Sequence, residues 1–414
     1  MSGLGQWSPE IRQYMVVTGN YWAFTLTDGA LRMLVVLYFH DLGYSPLQIA
    51  MLFIFYELFG VITNLLGGWL GARLGLNRTM NIGLLSQVVA LAMLLVPPAL
   101  LTVPWVMAAQ ALSGIAKDLN KMSAKSSIKL LVPPDEQGQL YKWVALLTGS
   151  KNALKGLGFF MGGALLSLFG FKGAVLGMAL ALLLVWISSL FSLRKDLGKA
   201  KNKPRFKEIL SKSAAINYLS AARMFLFGSR DVWFVVALPV YLASEFGWDH
   251  WTVGGFLALW IIAYGFVQGL APNITGKRSG KVPDGRHALR WAVALGVVPV
   301  CIALAFVFRW QVQEMLIGGL LVFGALFAIN SSLHSYLIVS YASEEGVSLD
   351  VGFYYMANAM GRLIGTVLSG WLFQDYGLAM CLWVSAGFIL LTALISLGLP
   401  AHSRPEYTRV GVER

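Results

Sequence analysis

Long apolar segments recur along the whole chain, and short polar segments separate them. Each apolar segment holds about 18 to 25 residues, enough for a helix to span a bilayer hydrocarbon core of about 30 Å. Because that core offers the backbone no hydrogen-bond partners, such segments cross it as helices. The pattern predicts an all-α polytopic membrane protein with twelve transmembrane helices, at about residues 13–39, 47–70, 80–101, 104–130, 140–169, 173–193, 214–243, 252–272, 289–308, 314–341, 350–373 and 378–399.

The composition favours the same class. Of the 414 residues, 57% are hydrophobic and 13% are charged, and the mean hydropathy is +0.66. Soluble domains carry about 25% charged residues. Cys301 and Cys381 lie in the ninth and twelfth segments, where we expect reduced, apolar fillers. We therefore expect no disulfide, no metal and no cofactor.

The net charge of +12 is explained by the orientation of the chain in the membrane. Cytoplasmic loops of membrane proteins are rich in Lys and Arg. With both termini in the cytoplasm, the basic segments 73–78, 194–212 and 277–290 all lie inside, and the outer loops hold little beyond Lys172 and Arg309. We predict this orientation and expect no nucleic-acid partner. The first span is long and follows polar residues, which argues against a cleavable signal peptide.

The two halves of the chain resemble each other. Segment 68–78 matches 269–278, and segment 152–158 matches 358–365. Both pairs are separated by roughly 200 residues, which is typical of a duplicated six-helix unit. The polar segment between the sixth and seventh spans divides the two units. The predicted domains are an N-terminal six-helix half at 1–193, a basic cytoplasmic linker at 194–213, a C-terminal six-helix half at 214–400 and a cytoplasmic tail at 401–414.

Segments 68–78 and 269–278 also resemble the cytoplasmic loop motif of the major facilitator superfamily, although Ala72 stands where the motif has Asp. The resemblance implies the fold of that family, with two pseudo-symmetric six-helix halves around a central cavity. In that fold the third, sixth, ninth and twelfth helices are outer supports. The interiors of these four spans contain no charged residue in this chain, which agrees with the implied arrangement.

The other spans contain eight interior cations and four acids. A cation that faces lipid at the centre of a membrane helix costs about 2.5–3.5 kcal/mol, so eight of them would exceed an ordinary protein's stability. We therefore expect these groups to face an aqueous cavity with excess positive charge, which suits a small anionic substrate. The cations are Arg32, Lys117, Lys121, Lys151, Lys155, Arg223, Arg230 and Arg362, and the acids are Asp28, Glu57, Asp118 and Asp231.

Four lysines follow one face of the fourth span at four-residue intervals. We expect Lys117 and Lys121 to lie deep enough to contact substrate. Lys125 is predicted to line the route by which substrate arrives from the cytoplasm. Lys129 is predicted to extend to the membrane surface.

Some of these charges have a second interpretation. Asp28 and Arg32, spaced i,i+4, are placed to neutralise each other, as are Asp118 and Lys121, spaced i,i+3. If those pairs form, fewer cations remain for substrate.

Other groups are expected to find partners on different helices. Arg230 and Asp231 are adjacent and point about 100° apart, so each is expected to pair elsewhere. Glu57 is the sole acid of its span, and we interpret it as a counter-ion of a cavity cation rather than a proton carrier. His334 is interpreted as a hydrogen-bonded helix contact rather than a group that titrates near neutral pH.

The predicted site therefore has two cationic ends. Lysines of the fourth and fifth spans (Lys117, Lys121, Lys151 and Lys155) bind one end of an anion, Arg230 and Arg362 bind the other, and Arg32 serves either. Lys151, Lys155 and Arg362 have the strongest case, since no acid lies in the interior of the same span. Supporting roles are assigned to Asp28, Glu57, Asp118, Arg223, Asp231 and His334.

Segments in four spans carry a more specific resemblance. The segments 18–37 (TGNYWAFTLTDGALRMLVVL), 111–129 (ALSGIAKDLNKMSAKSSIK), 148–156 and 228–241 resemble the ArsJ organoarsenical efflux permeases. That family implies a permease of the bacterial inner membrane that exports 1-arseno-3-phosphoglycerate. A glyceraldehyde-3-phosphate dehydrogenase makes this compound when arsenate replaces phosphate. The pair would confer arsenate resistance, because the exported acyl arsenate hydrolyses outside the cell.

Other functions remain open at this stage. An organophosphate/phosphate exchanger would use the same cationic cavity. A membrane enzyme is disfavoured because the loops show no nucleophile or metal-ligand pattern, and a channel is disfavoured because duplicated halves suit an occluding site. We expect a monomer in the lipid bilayer that is not an enzyme.

Overall fold

The computed structural model describes residues 9–43, 52–132, 137–193, 197, 199, 213–248, 250–275, 282–343 and 346–401. Most of the predicted linker and tail lie outside these residues. The described chain is helical, with a short 3-10 turn at Pro98–Leu100. The α-helices are α1 (Pro9–Asp41), α2 (Ile54–Leu74), α3 (Leu76–Met93), α4 (Val103–Leu131), α5 (Gln137–Ser192), α6 (Ala214–Phe234), α7 (Ala237–Ser244), α8 (His250–Thr275), α9 (Gly285–Phe308), α10 (Val312–Tyr341) and α11 (Val347–Ser396).

These helices supply the twelve predicted spans. Within the described residues, seven helices are long and apolar enough to cross a membrane, and α5 and α11 are the two longest. Each of these two bends at a glycine, Gly170 with φ of 64° and Gly377 with φ of 78°, and so contributes two spans. Positive φ is accessible to glycine without strain. The more polar α3, α4 and α6 provide the remaining spans, and α7 extends that of α6.

The duplication predicted from the sequence is confirmed. The bends at Gly170 and Gly377 occupy equivalent places in the two halves, roughly 200 residues apart, as expected of a repeat. The two most extensive helix contacts, α1 with α5 and α6 with α11, are also equivalent.

Glycines allow these equivalent helices to approach closely. A Cβ atom on Gly158 of α5 would lie 2.7 Å from the Leu26 carbonyl oxygen of α1. A Cβ atom on Gly365 of α11 would lie 2.8 Å from the Gly228 carbonyl oxygen of α6. Small residues at helix contacts are the usual means of close packing in membranes, where burial of apolar surface adds little.

The two halves meet at the end of the bundle where α1 begins and α5 ends, which we call the linker end. There Gly352 of α11 packs on α2, and a Cβ atom on it would lie 2.7 Å from the Asn64 carbonyl oxygen and 2.9 Å from Gly68 Cα. Gly149 of α5 meets α8 in the same way, with Gly265 as its neighbour. The structure is therefore closed at the linker end.

Further contacts across the halves support this closure. Lys129 of α4 donates a hydrogen bond to the Ser340 carbonyl oxygen of α10 at 3.1 Å. Tyr141 of α5 shares a hydrogen bond with Thr275 of α8 at 2.9 Å, and its ring centroid lies 4.8 Å from that of Tyr336. Lys129 therefore bonds across to the other half, and its predicted place at the membrane surface stays a prediction.

Replacing Gly352 by Ala is expected to open the linker end. The new methyl group would force α2 and α11 apart, and overpacking of this kind costs about 1–3 kcal/mol. A single reactive thiol at Ser348→Cys, beside Gly68, reports the opening in a background with Cys301→Ser and Cys381→Ser. We expect maleimide labelling to be about tenfold faster, which corresponds to about 1.4 kcal/mol.

Gly370 on the same helix is the matched control, because a Cβ atom there would meet nothing within 4 Å. Gly370→Ala should label at the parental rate. Equal labelling of the Gly352→Ala and Gly370→Ala variants would contradict the assigned closure.

Candidate functional site

A continuous series of ion pairs joins the two halves. Glu57 of α2 accepts from Arg32 of α1 at 3.1 Å and from Arg362 of α11 at 3.3 Å. Arg362 also donates to Asp231 of α6 at 3.2 Å, and Asp231 pairs with Arg230. Asp231 is fully buried, and removing one partner of a buried pair typically costs about 3–5 kcal/mol. The series therefore fixes four helices, and Glu57 is a counter-ion as the sequence predicted.

Asp28 does not pair with Arg32, so the expected i,i+4 pair of α1 was wrong. Both carboxylate oxygens of Asp28 instead accept from the Tyr56 hydroxyl, at 2.8 and 3.0 Å. Arg32 turns to Glu57 and lies 5.0 Å from the centroid of the Tyr56 ring. Asp28 therefore bonds to Tyr56, and Arg32 bonds to the adjacent Glu57 of the same helix, α2.

The arginines predicted to bind the second end of a substrate already have carboxylate partners. Arg230 Nε donates to the adjacent Asp231 at 2.6 Å, so the expectation that it pairs on another helix was wrong. That expectation was right for Asp231, which also reaches Arg362. Arg362 lies between carboxylates from both halves. Both acids lie on other helices. Arg362 is therefore paired even though the interior of its own span contains no acid.

The lysines of α4 lie against aromatic rings. The Lys117 ammonium nitrogen is 3.8 Å from the centroid of Tyr56, and that of Lys121 is 4.6 Å from the centroid of Tyr355 on α11. A cation over an aromatic face gains about 0.5–2 kcal/mol. Lys121 also pairs with Asp118 at 2.6 Å, which confirms the predicted i,i+3 pair.

Lys151 and Lys155 of α5 complete a group of cations on the first half. Both are partly buried, and Lys155 lies 5.9 Å from the centroid of Phe159. The cations Lys121, Arg362 and Lys117 act on Lys151, Arg32 acts on Lys155, and the carboxylate of Asp28 acts on both lysines. In the part of the chain that the structure describes, no carboxylate forms an ion pair with Lys117, Lys151 or Lys155.

Lys125 is buried, with 2% of its surface exposed. Its amine donates to the Thr148 hydroxyl of α5 and lies 5.5 Å from the centroid of Tyr355. In this conformation Lys125 does not line an open route from the linker end, and its role on the substrate route stays a prediction for the open state. The physical reason is the closure of the linker end, which places α11 against α4.

Arg223 and His334 form a buried group in the second half. Arg223 donates to Asn358 at 2.8 Å and to the Ser331 carbonyl and hydroxyl oxygens at 3.1 Å each, and it lies 3.9 Å from the centroid of Phe227. His334 is fully buried, and neither ring nitrogen has a hydrogen-bond partner among the described residues. The interpretation of His334 as a hydrogen-bonded contact was therefore wrong.

With Lys125 included, the interior groups named above comprise nine cations and four carboxylates, an excess of five positive charges. The sequence did not indicate the roles of Tyr56, Thr148 or Asn358, because ordinary polar residues in a helix give no sign of their tertiary partners. Cys301 is exposed, Cys381 is buried, and both are free thiols. Across the described residues, no three His, Cys, Asp or Glu side chains are grouped as metal ligands.

The fold is shared with several solved transporters of low sequence identity. The human organic anion transporter MFSD10 (TETRAN) is 16% identical with a TM-score of 0.74, and the match covers 94% of this chain and all of that one. The proton:xylose symporter XylE is 13% identical with a TM-score of 0.74, covering 94% and 95%. A bacterial homologue of the iron transporter ferroportin, in an outward-facing state, is 14% identical with a TM-score of 0.72, covering 94% and 99%.

No curated protein matches the chain in sequence. The model of the Major Facilitator Superfamily matches residues 17–284, which is more than half of the chain. The match begins in α1 and extends beyond α8 of the second half, and the solved structures cover nearly all of the remainder. The chain therefore belongs to the major facilitator superfamily and is a multi-pass membrane transporter.

Proposed function

We propose that this transporter exports a small organic anion with several negative charges. The excess of five positive charges between its halves carries the proposal. An anion bound among these groups would offset charge that is otherwise costly to hold away from water. The same excess would disfavour binding of a cation or an uncharged sugar.

The lysines are the groups available to such a substrate. Lys117, Lys151 and Lys155 have no carboxylate partner in the described chain, whereas Arg32, Arg230 and Arg362 do. A Lys ammonium is a mobile point charge that follows a moving anion, while Arg holds a fixed paired geometry. The predicted two-ended site is therefore revised, with Lys117, Lys151 and Lys155 contacting substrate and Arg362 joining the two halves.

Within this class, 1-arseno-3-phosphoglycerate is the substrate that we favour. The segments that resemble organoarsenical permeases fall on α1, α4, α5 and α6, where nearly all of the interior charges lie. The compound has an arsenate group at one end and a phosphate at the other, so it can engage several cations together. A glyceraldehyde-3-phosphate dehydrogenase would supply it inside the cell.

The proposed location is a bacterial inner membrane with the linker end in the cytoplasm. The described basic residues Arg73, Arg78, Arg286 and Arg290 lie at helix ends on that side, and cytoplasmic loops of membrane proteins are rich in Lys and Arg. In this orientation the closed linker end corresponds to a carrier that faces away from the cytoplasm. Such a carrier acts as a monomer by rocking its two halves about the bound anion, and it performs no enzymatic step.

Expression in an arsenate-sensitive bacterium is expected to give resistance only with a co-expressed glyceraldehyde-3-phosphate dehydrogenase. The reason is that the proposed substrate is the enzyme's product and not arsenate itself. Growth at increasing arsenate concentration is the measurement. The Lys151→Gln variant should lose resistance, and Lys172→Gln should retain it because Lys172 is an exposed residue of α5.

Resistance that does not require the dehydrogenase would reject the organoarsenical substrate. Loss of resistance in the Lys172→Gln variant would show that the assay reports expression rather than the site, and membrane levels of each variant are measured alongside.

The membrane potential is the proposed driving force. A potential that is negative inside favours exit of an anion by about 2.3 kcal/mol per charge per 100 mV. Glu57 is engaged by two arginines, which leaves it poorly placed to carry a proton in this conformation. We therefore infer uniport of the anion.

Inside-out vesicles separate uniport from the organophosphate/phosphate exchanger that remains as the second candidate. Labelled arsenate, the dehydrogenase, glyceraldehyde 3-phosphate and NAD are supplied outside, and trapped label is counted. An interior-positive potential is expected to accelerate accumulation without phosphate in the lumen. Accumulation that is independent of the potential and requires phosphate in the lumen would establish exchange. Accumulation that depends only on a pH gradient would establish proton coupling.

A further inference from the structure

Lys125 and Arg223 are buried cations on opposite halves of the molecule. They are 2% and 3% exposed, on α4 and α6. No carboxylate pairs with either one among the described residues. The charged groups that act most strongly on Lys125 are all positive, namely Arg223, Lys151 and Lys121.

Two adjacent tyrosines of α11 contact these cations. The Lys125 amine is 5.5 Å from the centroid of Tyr355, and Arg223 Cζ is 5.2 Å from the centroid of Tyr354. The two ring centroids are 4.9 Å apart. Lys125 and Arg223 therefore approach the same point on α11 from the two halves.

Four polar side chains around this point are buried and make no hydrogen bond of normal geometry within the described residues. The hydroxyls of Tyr354 and Tyr355 lie near that of Ser335, yet none of the three makes a hydrogen bond of normal geometry. Both nitrogens of the neighbouring His334 are also unpartnered in the described chain. His334 and Ser335 are fully buried, and Tyr355 is 3% exposed. A buried donor without an acceptor is costly, so this cluster favours a ligand that accepts several hydrogen bonds.

The two cations also retain donors. The hydrogen bonds of Arg223 use Nε and Nη1, and Nη2 makes none within the described residues. Lys125 has three N–H groups, of which the contact with Thr148 uses one. An oxyanion with several acceptor oxygens matches this set of charged and neutral donors.

We propose that Lys125 and Arg223 clamp one oxyanion group of the substrate, a phosphate, arsenate or carboxylate, and that this clamp controls closure of the linker end. The proposal rests on the anionic substrate proposed above. Without an anion, closing the linker end brings two buried like charges together, which repel each other in a medium of low dielectric constant. With an oxyanion between them, the repulsion becomes attraction from both sides.

The consequence is that an empty carrier opens its linker end and a loaded carrier closes it. A ligand shifts such an equilibrium only by its different affinity for the two states. Here the difference arises because Lys125 and Arg223 lie on separate halves, so both reach the same anion only after closure. The empty carrier would therefore stay open to the cytoplasm until substrate binds.

The test measures maleimide labelling of the Ser348→Cys reporter in the full-length protein in liposomes, with inorganic phosphate or 3-phosphoglycerate as probe. In the parental protein either probe is expected to slow labelling by about tenfold, equivalent to about 1.4 kcal/mol. In Lys125→Gln and in Arg223→Gln the repulsion is gone. Both variants should label slowly without a probe, and the probe should change the rate by less than about twofold, or about 0.4 kcal/mol.

Lys142→Gln is the matched control, because Lys142 is an exposed lysine at the linker end. It should respond to the probes as the parental protein does. Because each half contributes one variant, the second variant still tests the proposal if the first fails to fold. The proposal is overturned if Lys125→Gln and Arg223→Gln label at the parental rate without probe, or if no probe slows the parental protein.

The outcome is separable from that of the proposed function. If the labelling results are as expected but vesicles accumulate no organoarsenical, the clamp stands and the substrate assignment fails. If vesicles accumulate the organoarsenical while both variants keep the parental response to probes, the substrate assignment stands and the clamp fails.

Discussion

The burial of more positive than negative charge between two membrane-embedded halves is the constraint on which the rest of this structure depends. Each cation placed in a membrane costs several kcal/mol unless a counter-charge, a water-filled cavity or a ligand offsets it. The chain offsets part of this cost with Glu57 and Asp231, which hold Arg32, Arg230 and Arg362. The charge that remains is carried mainly by lysines, and it is the basis of the proposed preference for anions.

The cationic groups therefore divide into two kinds with different physical roles. Arg32, Arg230 and Arg362 pair with Glu57 and Asp231, and the Arg362–Glu57 pair joins the two halves. A guanidinium suits such fixed pairs because it presents several donors in a rigid plane. Within the described residues, Lys117, Lys125, Lys151 and Lys155 form no ion pair with a carboxylate. Three of them lie against the rings of Tyr56, Tyr355 and Phe159. Close contacts between the halves at glycines, such as Gly352 on Gly68, close the linker end. Closure and charge are thus linked, because the same approach of α11 to α2 and α4 that closes the linker end also buries Lys125.

The sequence predicted the fold well and the pairing of charges only in part. Twelve spans and their duplication follow from apolar length and repeated segments, which are local properties of the chain. The Asp118–Lys121 pair was also predictable because both residues lie on one helix face. Pairs between helices were not, since Arg362 finds Glu57 and Asp231 on helices far away in the sequence. Asp28 shows how a local rule fails when a tertiary donor, the Tyr56 hydroxyl, competes for the carboxylate.

Binding of 3-phosphoglycerate to the purified protein tests most directly whether the lysines without carboxylate partners form an anion site. Isothermal titration compares the parental protein, the Lys151→Gln/Lys155→Gln double variant and the Lys142→Gln/Lys172→Gln control, which removes the same charge from exposed positions. Hydrogen bonds to charged groups contribute about 1.5–3 kcal/mol each, so the double variant should bind at least about tenfold more weakly while the control is unchanged. Equal affinity of all three proteins would contradict the account.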